Sequence, residues 1–324
     1  MSTKLADFKK LNILVIRFSS FGDVVLATAF IEGLKKKYPN ADIYILTKPE
    51  FNAVFVHRLE IKYKDSLHYN IIYDLSVNLR SFFFCFKQRL RGSRIIRVSK
   101  NIVARRLMVW FKIFPRSNKN ISILAKYSRF LRLESIVFPK IFLGDDKTNQ
   151  ILTKIKSKKY IGINPSAKWK NKCWIKERYA EVINQLLKQD NYVVLFGDKG
   201  DIIFNSEIVS SLKNSDKLIN LTGILNKEQL FKAVSDLDLI LTTDSAVLHI
   251  AQSFKVPVVA IFGPTIKEFG FWQPNPKDIL VEVDLSCRPC HLHGGDFCPK
   301  GHFRCMKDIS VKTILAMLSE IGER

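Results

Sequence analysis

Residues 239–265, LILTTDSAVLHIAQSFKVPVVAIFGPT, spell out a strand, a helix and a second strand. Leu239-Ile240-Leu241 is a short apolar run ending in Thr242-Thr243, which reads as a buried strand. Asp244 and Ser245 follow as helix-start residues, and Leu248, Ala251 and Gln252 recur at helical spacing. Pro257 closes the helix before the apolar run Val258–Phe262. Such a unit belongs to an open α/β sheet, in which ligands bind beyond the carboxyl ends of the strands. The helix amino terminus adds free N–H groups and a partial positive charge suited to phosphate. His249 lies one turn in, on the side that can face the same anion. From the residues alone two readings stand level: an anion site, or a core crossover with a solvated cap and a packed histidine.

The same alternation runs along the chain. A strand over Asn12–Phe18 leads through the loop Ser19-Ser20-Phe21-Gly22-Asp23 into a helix ending near Lys37. Asp42–Leu46 and Asn70–Leu75 read as further strands. Residues 145–157 are polar, Lys-rich and weakly patterned, as a linker is. A second series follows: strand Tyr160–Asn164, helix near Ile175–Lys188, strand Tyr192–Phe196, a helix after Asp201, strand Leu218–Asn220, and a helix from about Lys227. The tail Val311–Ile321 reads as an amphipathic helix. The prediction is an α/β protein with two parallel-sheet domains, 1–150 and 151–324, facing each other across a cleft. A chain of 324 residues is long enough for two such cores.

Charge narrows the partners. The formal net charge is +22, and between Asp74 and Glu134 there are 15 basic residues and no acid. Phe82, Phe83, Phe84, Phe86, Trp110, Phe111 and Phe114 interleave with them. This mixture suits an anionic partner or membrane surface better than a merely solvated basic face. It carries none of the common nucleic-acid recognition signatures, so no nucleic acid is expected. The apolar runs are too short to span a bilayer, and no secretory signal is visible. A cytoplasmic protein is expected.

Three groups of residues could carry chemistry. Gly22 permits a tight turn where the first strand meets its helix, and Asp23 there is either a helix cap or a general base. Asn164-Pro165-Ser166-Ala167 ends a strand, and Lys168, Lys170 and Lys172 follow within one loop, where a lysine can neutralise a diphosphate. Gly197 could admit a ligand closely. The third group is Cys287, Cys290, Cys298 and Cys305, with His291, His293 and His302 between them. The first pair has metal-knuckle spacing; the second is wider than in common zinc ribbons, and reduced thiols in a packed loop are the expected state.

Together these pieces resemble the ADP-heptose:lipopolysaccharide heptosyltransferases, glycosyltransferase family nine. The likeness lies in IRFSSFGDVVLATAFIEGLKKKYP, in Asn164–Trp174 ending Lys172-Cys173-Trp174, in TTDSAVLHIAQSFKVPVVAIFGPT, and in CRPCHLHGGDFCPKGHFRCM, in that order. The resemblance implies a GT-B architecture of two Rossmann-like domains, the first for the acceptor and the second, with the Cys-rich loop 287–305, for a nucleotide-sugar donor. It implies inverting, metal-independent transfer with ADP-heptose as co-substrate and no cofactor. Asp23 would be the general base, with Ser19, Ser20 and Gly22 forming its substrate-binding loop. Lys172 would hold the donor diphosphate, together with His249 and the amides of Ser245 and Ala246. Asp244 would fix the loop or contact the donor; Ser166 and Gly197 fall near donor positions, and Leu225 where the base packs. Ala246 replaces the family's usual glycine, so a left-handed backbone there would be strained. The implied acceptor is the anionic lipid A core, reached by peripheral contact with the inner leaflet. Alternatives within this resemblance are another nucleotide sugar or a protein acceptor; related protein heptosyltransferases carry a four-cysteine iron site. Outside it stands a basic membrane-surface or nucleic-acid-binding protein without catalysis.

Overall fold

In the computed structural model the described residues are 11–58, 63–98, 102–112, 122–144, 151–152, 155 and 157–323. The proposed linker therefore lies largely outside them. The elements in chain order are β1 (Asn12–Ile16), α1 (Phe21–Lys37), β2 (Asp42–Leu46), β3 (Ile71–Asp74), α2 (Leu79–Leu90), β4 (Arg94–Arg97), α3 (Ile102–Phe111) and α4 (Ile123–Leu131). Then come β5 (Tyr160–Asn164), α5 (Lys176–Lys188), β6 (Tyr192–Leu195), α6 (Ile202–Ser210), β7 (Leu218–Asn220), α7 (Lys227–Ser235) and β8 (Leu239–Thr243). The chain continues with α8 (Ala246–Ser253), β9 (Val258–Phe262), β10 (Ile279–Glu282), α9 (Arg304–Lys307) and α10 (Val311–Glu323).

The chain divides into two compact units, Met1–Lys100 with Leu124–Phe142, and Asn101–Ile123 with Leu143–Arg324. The single boundary near residue 150 misses that the second unit also takes in residues 101–123. The reason is packing: Met108 of α3 sits in an apolar cluster with Ile266 and Phe269, and Arg105 stacks on the Phe271 ring at 4.7 Å.

Each unit is built on one sheet whose pairs are all parallel, in the order β2-β1-β3-β4 in the first and β10-β9-β8-β5-β6-β7 in the second. Strands β5, β8 and β9 are buried at every position, which is why their residues show no alternation of apolar and exposed polar positions. Strand order reverses between β1 and β3 in the first sheet and between β5 and β8 in the second. At such switch points the two flanking connections run off to opposite sides and leave a crevice at the carboxyl ends.

The basic, aromatic stretch after Asp74 is more structured than its composition suggests. It contains α2, β4, α3 and α4. In α2 the inward residues are Ser81, Cys85 and Gln88, while Phe82, Phe83 and Phe86 are exposed. A search for an apolar inner face therefore passes over this helix.

Candidate functional site

The first switch point carries Asp23. Backbone of Arg17 and Phe18 leaves β1 and stays tied to the neighbouring strands, through Arg17 N–H to Leu46 O at 3.0 Å and Phe18 N–H to Ser76 Oγ at 2.7 Å. Ser19 and Ser20 are exposed and joined by a cis peptide. Ser20 is the N-cap of α1, and both its backbone N–H and its hydroxyl donate to Asp23 Oδ2 at 3.0 Å. The Arg17 guanidinium meets Asp23 Oδ1 at 2.7 Å. Burial works to raise the Asp23 carboxyl, but Arg17 and the Ser20 hydrogen bonds outweigh it and hold the group below its ordinary value. Asp23 is thus a cap in the resting structure and is ionised there. Gly22 does not make the turn asked of it: it lies in the first turn of α1 without a positive φ.

At the second switch point Asn164 and Thr242 are paired across β5 and β8. Asn164 Nδ2 donates to Ser166 O at 2.9 Å and to the hydroxyls of Thr242 and Ser245 at 3.2 and 3.3 Å. Lys172 sits at the end of a short 3-10 turn, Lys170–Lys172, and its ammonium donates to Asp244 Oδ2 at 2.6 Å. The same carboxylate oxygen accepts from Thr265 Oγ1 at 2.7 Å. Burial pushes the Asp244 carboxyl up, but the Lys172 charge, the hydrogen bonds from Lys172 and Thr265, and His249 together hold it below its usual value. Ser245 is the N-cap of α8 and Ala246 its first residue. Ala246 is not among the residues with positive φ, so its Cβ brings no strain and its amide points out of the helix start like any other. His249 is buried on the first turn of the same helix.

Gly197 and Leu225 lie toward the β6 and β7 side of this sheet. The space beside Gly197 is used by the chain itself: a Cβ there would stand 2.6 Å from Asn205 Nδ2 and 3.0 Å from Asp201 Cβ and Thr222 Cγ2. Asn205 cannot give way, because it is fully buried and donates to Phe196 O at 3.0 Å and Thr222 Oγ1 at 2.8 Å. Gly197→Ala is expected to destabilise the chain by about 1–3 kcal/mol, read as a lowered thermal midpoint. A variant that melts like the parent would leave ligand contact as the reason for the glycine. Ser166 links this region to the switch point through a hydrogen bond to Asp201, whose carboxyl is raised by burial despite that bond. Leu225 is half-buried in the loop before α7.

The Cys-rich loop 287–305 turns out to hold Lys172 in place. Asn171 N–H donates to Gly295 O at 3.0 Å, Gly295 N–H returns to Asn171 Oδ1 at 2.9 Å, and Asn171 Nδ2 reaches Phe297 O at 3.2 Å. Trp174 is buried and donates to Met306 O at 3.1 Å. Buried Arg288 binds the carbonyls of Gly263 and Thr265, at 2.5 and 2.8 Å, and so fixes the loop that carries Thr265. The four cysteines of the loop are free thiols, and burial pushes Cys290 and Cys305 up to about 11. Among the described residues no group of three or more His, Cys, Asp or Glu is placed to hold a metal ion. Arg17, Thr265, Asn171 and Arg288 escaped the sequence reading. Arg17 alone left a signal there, as a cation interrupting the apolar run of the first strand.

Two carboxylates with depressed values predict an acid response. A carboxyl lowered on folding stabilises fully above its unfolded value of about 3.9 and loses that contribution as pH falls through the folded value. The thermal midpoint should therefore be flat from neutrality to about pH 4, as far as Asp23 and Asp244 decide it, and drop below. Asp244→Asn should lower the midpoint at neutral pH and shrink the acid drop. An equally steep drop in that variant would remove the Lys172–Asp244 pair as its source.

A family profile described as glycosyltransferase family 9 (heptosyltransferase) matches residues 118–295, more than half of the chain. The chain belongs to glycosyltransferase family 9. Lipooligosaccharide heptosyltransferase 2 of Campylobacter jejuni is 32% identical over 169 residues, covering 51% of this chain and 52% of that protein. The chain thus spans about half the length of this curated relative. Among solved structures, a family 9 glycosyl transferase from Veillonella parvula superposes with a TM-score of 0.72 at 20% identity, over 97% of this chain and 98% of that one. An ADP-heptose lps heptosyltransferase II of E. coli gives 0.71 at 19% identity, over 97% and 99%. These likenesses establish the family's α/β fold, GT-B with two parallel-sheet units. The matched profile contains Ser166, Lys172, Gly197, Leu225, Asp244, Ser245, Ala246 and His249; Asp23 lies before it.

Proposed function

We propose that the chain is an inverting glycosyltransferase that moves heptose from ADP-heptose to a hydroxyl of the lipopolysaccharide or lipooligosaccharide core. The observation that carries this reading is the cluster at the second switch point: Lys172 paired with Asp244, whose carboxylate also accepts from Thr265, next to the start of α8. An ammonium and free helix amides converging where α/β sheets bind ligands suit a diphosphate. Family membership and the names of the relatives support heptose as the sugar.

In this reading the acceptor oxygen attacks the anomeric carbon while the bond from that carbon to the diphosphate oxygen breaks. The acceptor proton passes to Asp23, and ADP leaves with an added negative charge. Lys172, His249 and the amides of Ser245 and Ala246 stabilise that charge, commonly the largest catalytic contribution. These protein groups supply the stabilisation without calling on a metal or a cofactor. Asp244 aims Lys172 through their 2.6 Å contact. In the first unit a cavity of about 360 Å³ is lined by Phe18, Tyr63, Phe84, Arg80 and Lys87 among others. Its two cations outnumber its one carboxylate, Asp65, and with the aromatic walls they support an acceptor that combines sugar rings with anionic groups. A larger cavity of about 570 Å³, between α5 and α10, touches none of the candidate residues. Among the described residues no helix is long and apolar enough to cross a membrane. The reading places the chain at the cytoplasmic face of the inner membrane, where such an acceptor is presented.

The test is a thermal-shift and calorimetry screen with ADP, ADP-heptose, UDP-sugars and GDP-sugars. A ligand at 100 times its Kd adds about 2.7 kcal/mol to the folded state, and ADP and ADP-heptose are expected to do so. A shift with UDP- or GDP-sugars alone would change the donor. Silence with every nucleotide would overturn the transferase reading.

A further inference from the structure

Helix α2 is amphipathic in the wrong sense for a helix that belongs only to a core. Its inner side is Ser81, Cys85 and Gln88, and Ser81 is spent on Asp74 Oδ2 at 2.8 Å. Its outer side is Leu79, Phe82, Phe83, Phe86 and Leu90, with exposures of 77%, 50%, 68%, 57% and 75%. At 3.6 residues per turn these five positions fall within about 100° of one another. The stripe is continuous along the helix and lies opposite the buried side, where Cys85 and half-buried Phe84 join the core of the unit.

Cations flank the stripe on both sides. Arg80 and Lys87 lie along one edge and Arg89 along the other, all exposed, followed by exposed Arg91 and Arg94. The helix contains no acidic residue, and none occurs between Asp74 and Glu134. Arg97 adds to the surface by stacking on the Phe82 ring at 5.0 Å. Monomeric proteins rarely leave large aromatic side chains bare in a row. A second copy of the chain is a poor cover, because an isologous contact through α2 would set these cations against their own copies. An apolar stripe with basic edges and no acids matches the interface of an anionic bilayer: rings enter the acyl boundary and cations stay at the phosphates.

We infer that α2 is a membrane-docking helix that lies in the plane of an anionic lipid surface with its Phe stripe inserted. In the second unit, α3 has the same character on its own account. Val103, Leu107, Trp110 and Phe111 are exposed at helical spacing, and Arg105 and Met108 face the unit. The inference rests on these helices and not on the transferase reading, because vesicle binding needs no donor.

The experiment is co-sedimentation of the full chain with vesicles of phosphatidylcholine alone, or of phosphatidylcholine with about 30% phosphatidylglycerol. The anionic vesicles should bind at least tenfold more tightly, with binding falling as salt rises. Phe83→Ser with Phe86→Ser should lose about tenfold or more, and Lys87→Gln with Arg89→Gln about fivefold per charge. All four side chains are exposed, so the thermal midpoint should hold and report intact folding. Three outcomes would overturn the inference: no binding to anionic vesicles, equal binding by the Phe variant, or a concentration-dependent dimer lost in the Phe variant without vesicle binding.

Discussion

Asp23→Asn is expected to cut kcat by about 10²- to 10⁴-fold while leaving the Kd for ADP-heptose close to that of the parent. In the proposed mechanism this one carboxylate is both a helix cap and a base. As a cap, Asp23 accepts from the Ser20 amide and hydroxyl, and an asparagine carbonyl can still accept there. As a base, it must take a proton from the acceptor hydroxyl, which an amide cannot do. The donor residues lie on the other sheet, so donor affinity should not follow the loss of rate. The acid limb of the pH profile should lie low, since Arg17 and Ser20 hold the Asp23 carboxyl below its ordinary value against the pull of burial. That depression also makes the resting Asp23 a weaker base than a free carboxylate. Arg17→Gln should therefore move the acid limb upward. An Asp23→Asn variant with parental kcat would end the assignment of Asp23 as base.

Lys172→Ala should cost about 10²- to 10³-fold in kcat, the size of effect seen when one preorganised donor to a developing anion is removed. It should also weaken ADP binding. Stability is the complication, because Asp244 would then be left with a nearly buried carboxylate and no ammonium. Breaking such a pair from one side can cost up to about 3–5 kcal/mol, although Thr265 and His249 still face the group. Lys172→Met combined with Asp244→Asn removes both charges and should recover most of the thermal midpoint without recovering transfer. Lys172→Arg should keep the ion pair but not the rate, since a planar guanidinium cannot place charge where a compact ammonium does. If the double variant regains activity along with stability, Lys172 is a structural residue and the diphosphate clamp lies elsewhere.

How much of this was legible beforehand depended on which face each element buries. Strands β5, β8 and β9 are covered on both sides, so their apolar runs marked them to within a residue. Helix α2 escaped notice because its apolar side points outward, so its pattern reported a surface and not a core. The candidate donor residues were legible one by one, through the ends of strands and the start of α8. Their partnerships were not. Lys172 and Asp244 are 72 residues apart in the chain, and nothing local says that one aims the other. The Cys-rich loop misled in a similar way: the spacing of Cys287 and Cys290 drew attention to thiols, while Asn171, Gly295 and Arg288 make the bonds that tie it to the site.

Periodicity and helix-start chemistry over a few residues are enough to give the α/β class, the buried strands and the polar loops at their carboxyl ends. Which loops meet is set by the pairing of distant strands. The reversal of strand order between β5 and β8 brings Lys172 to Asp244, and the loop after β9 brings Thr265 to the same carboxylate. Those meetings depend on long-range strand pairing and on the burial that makes a charge seek its partner, and neither is written in any short stretch of residues.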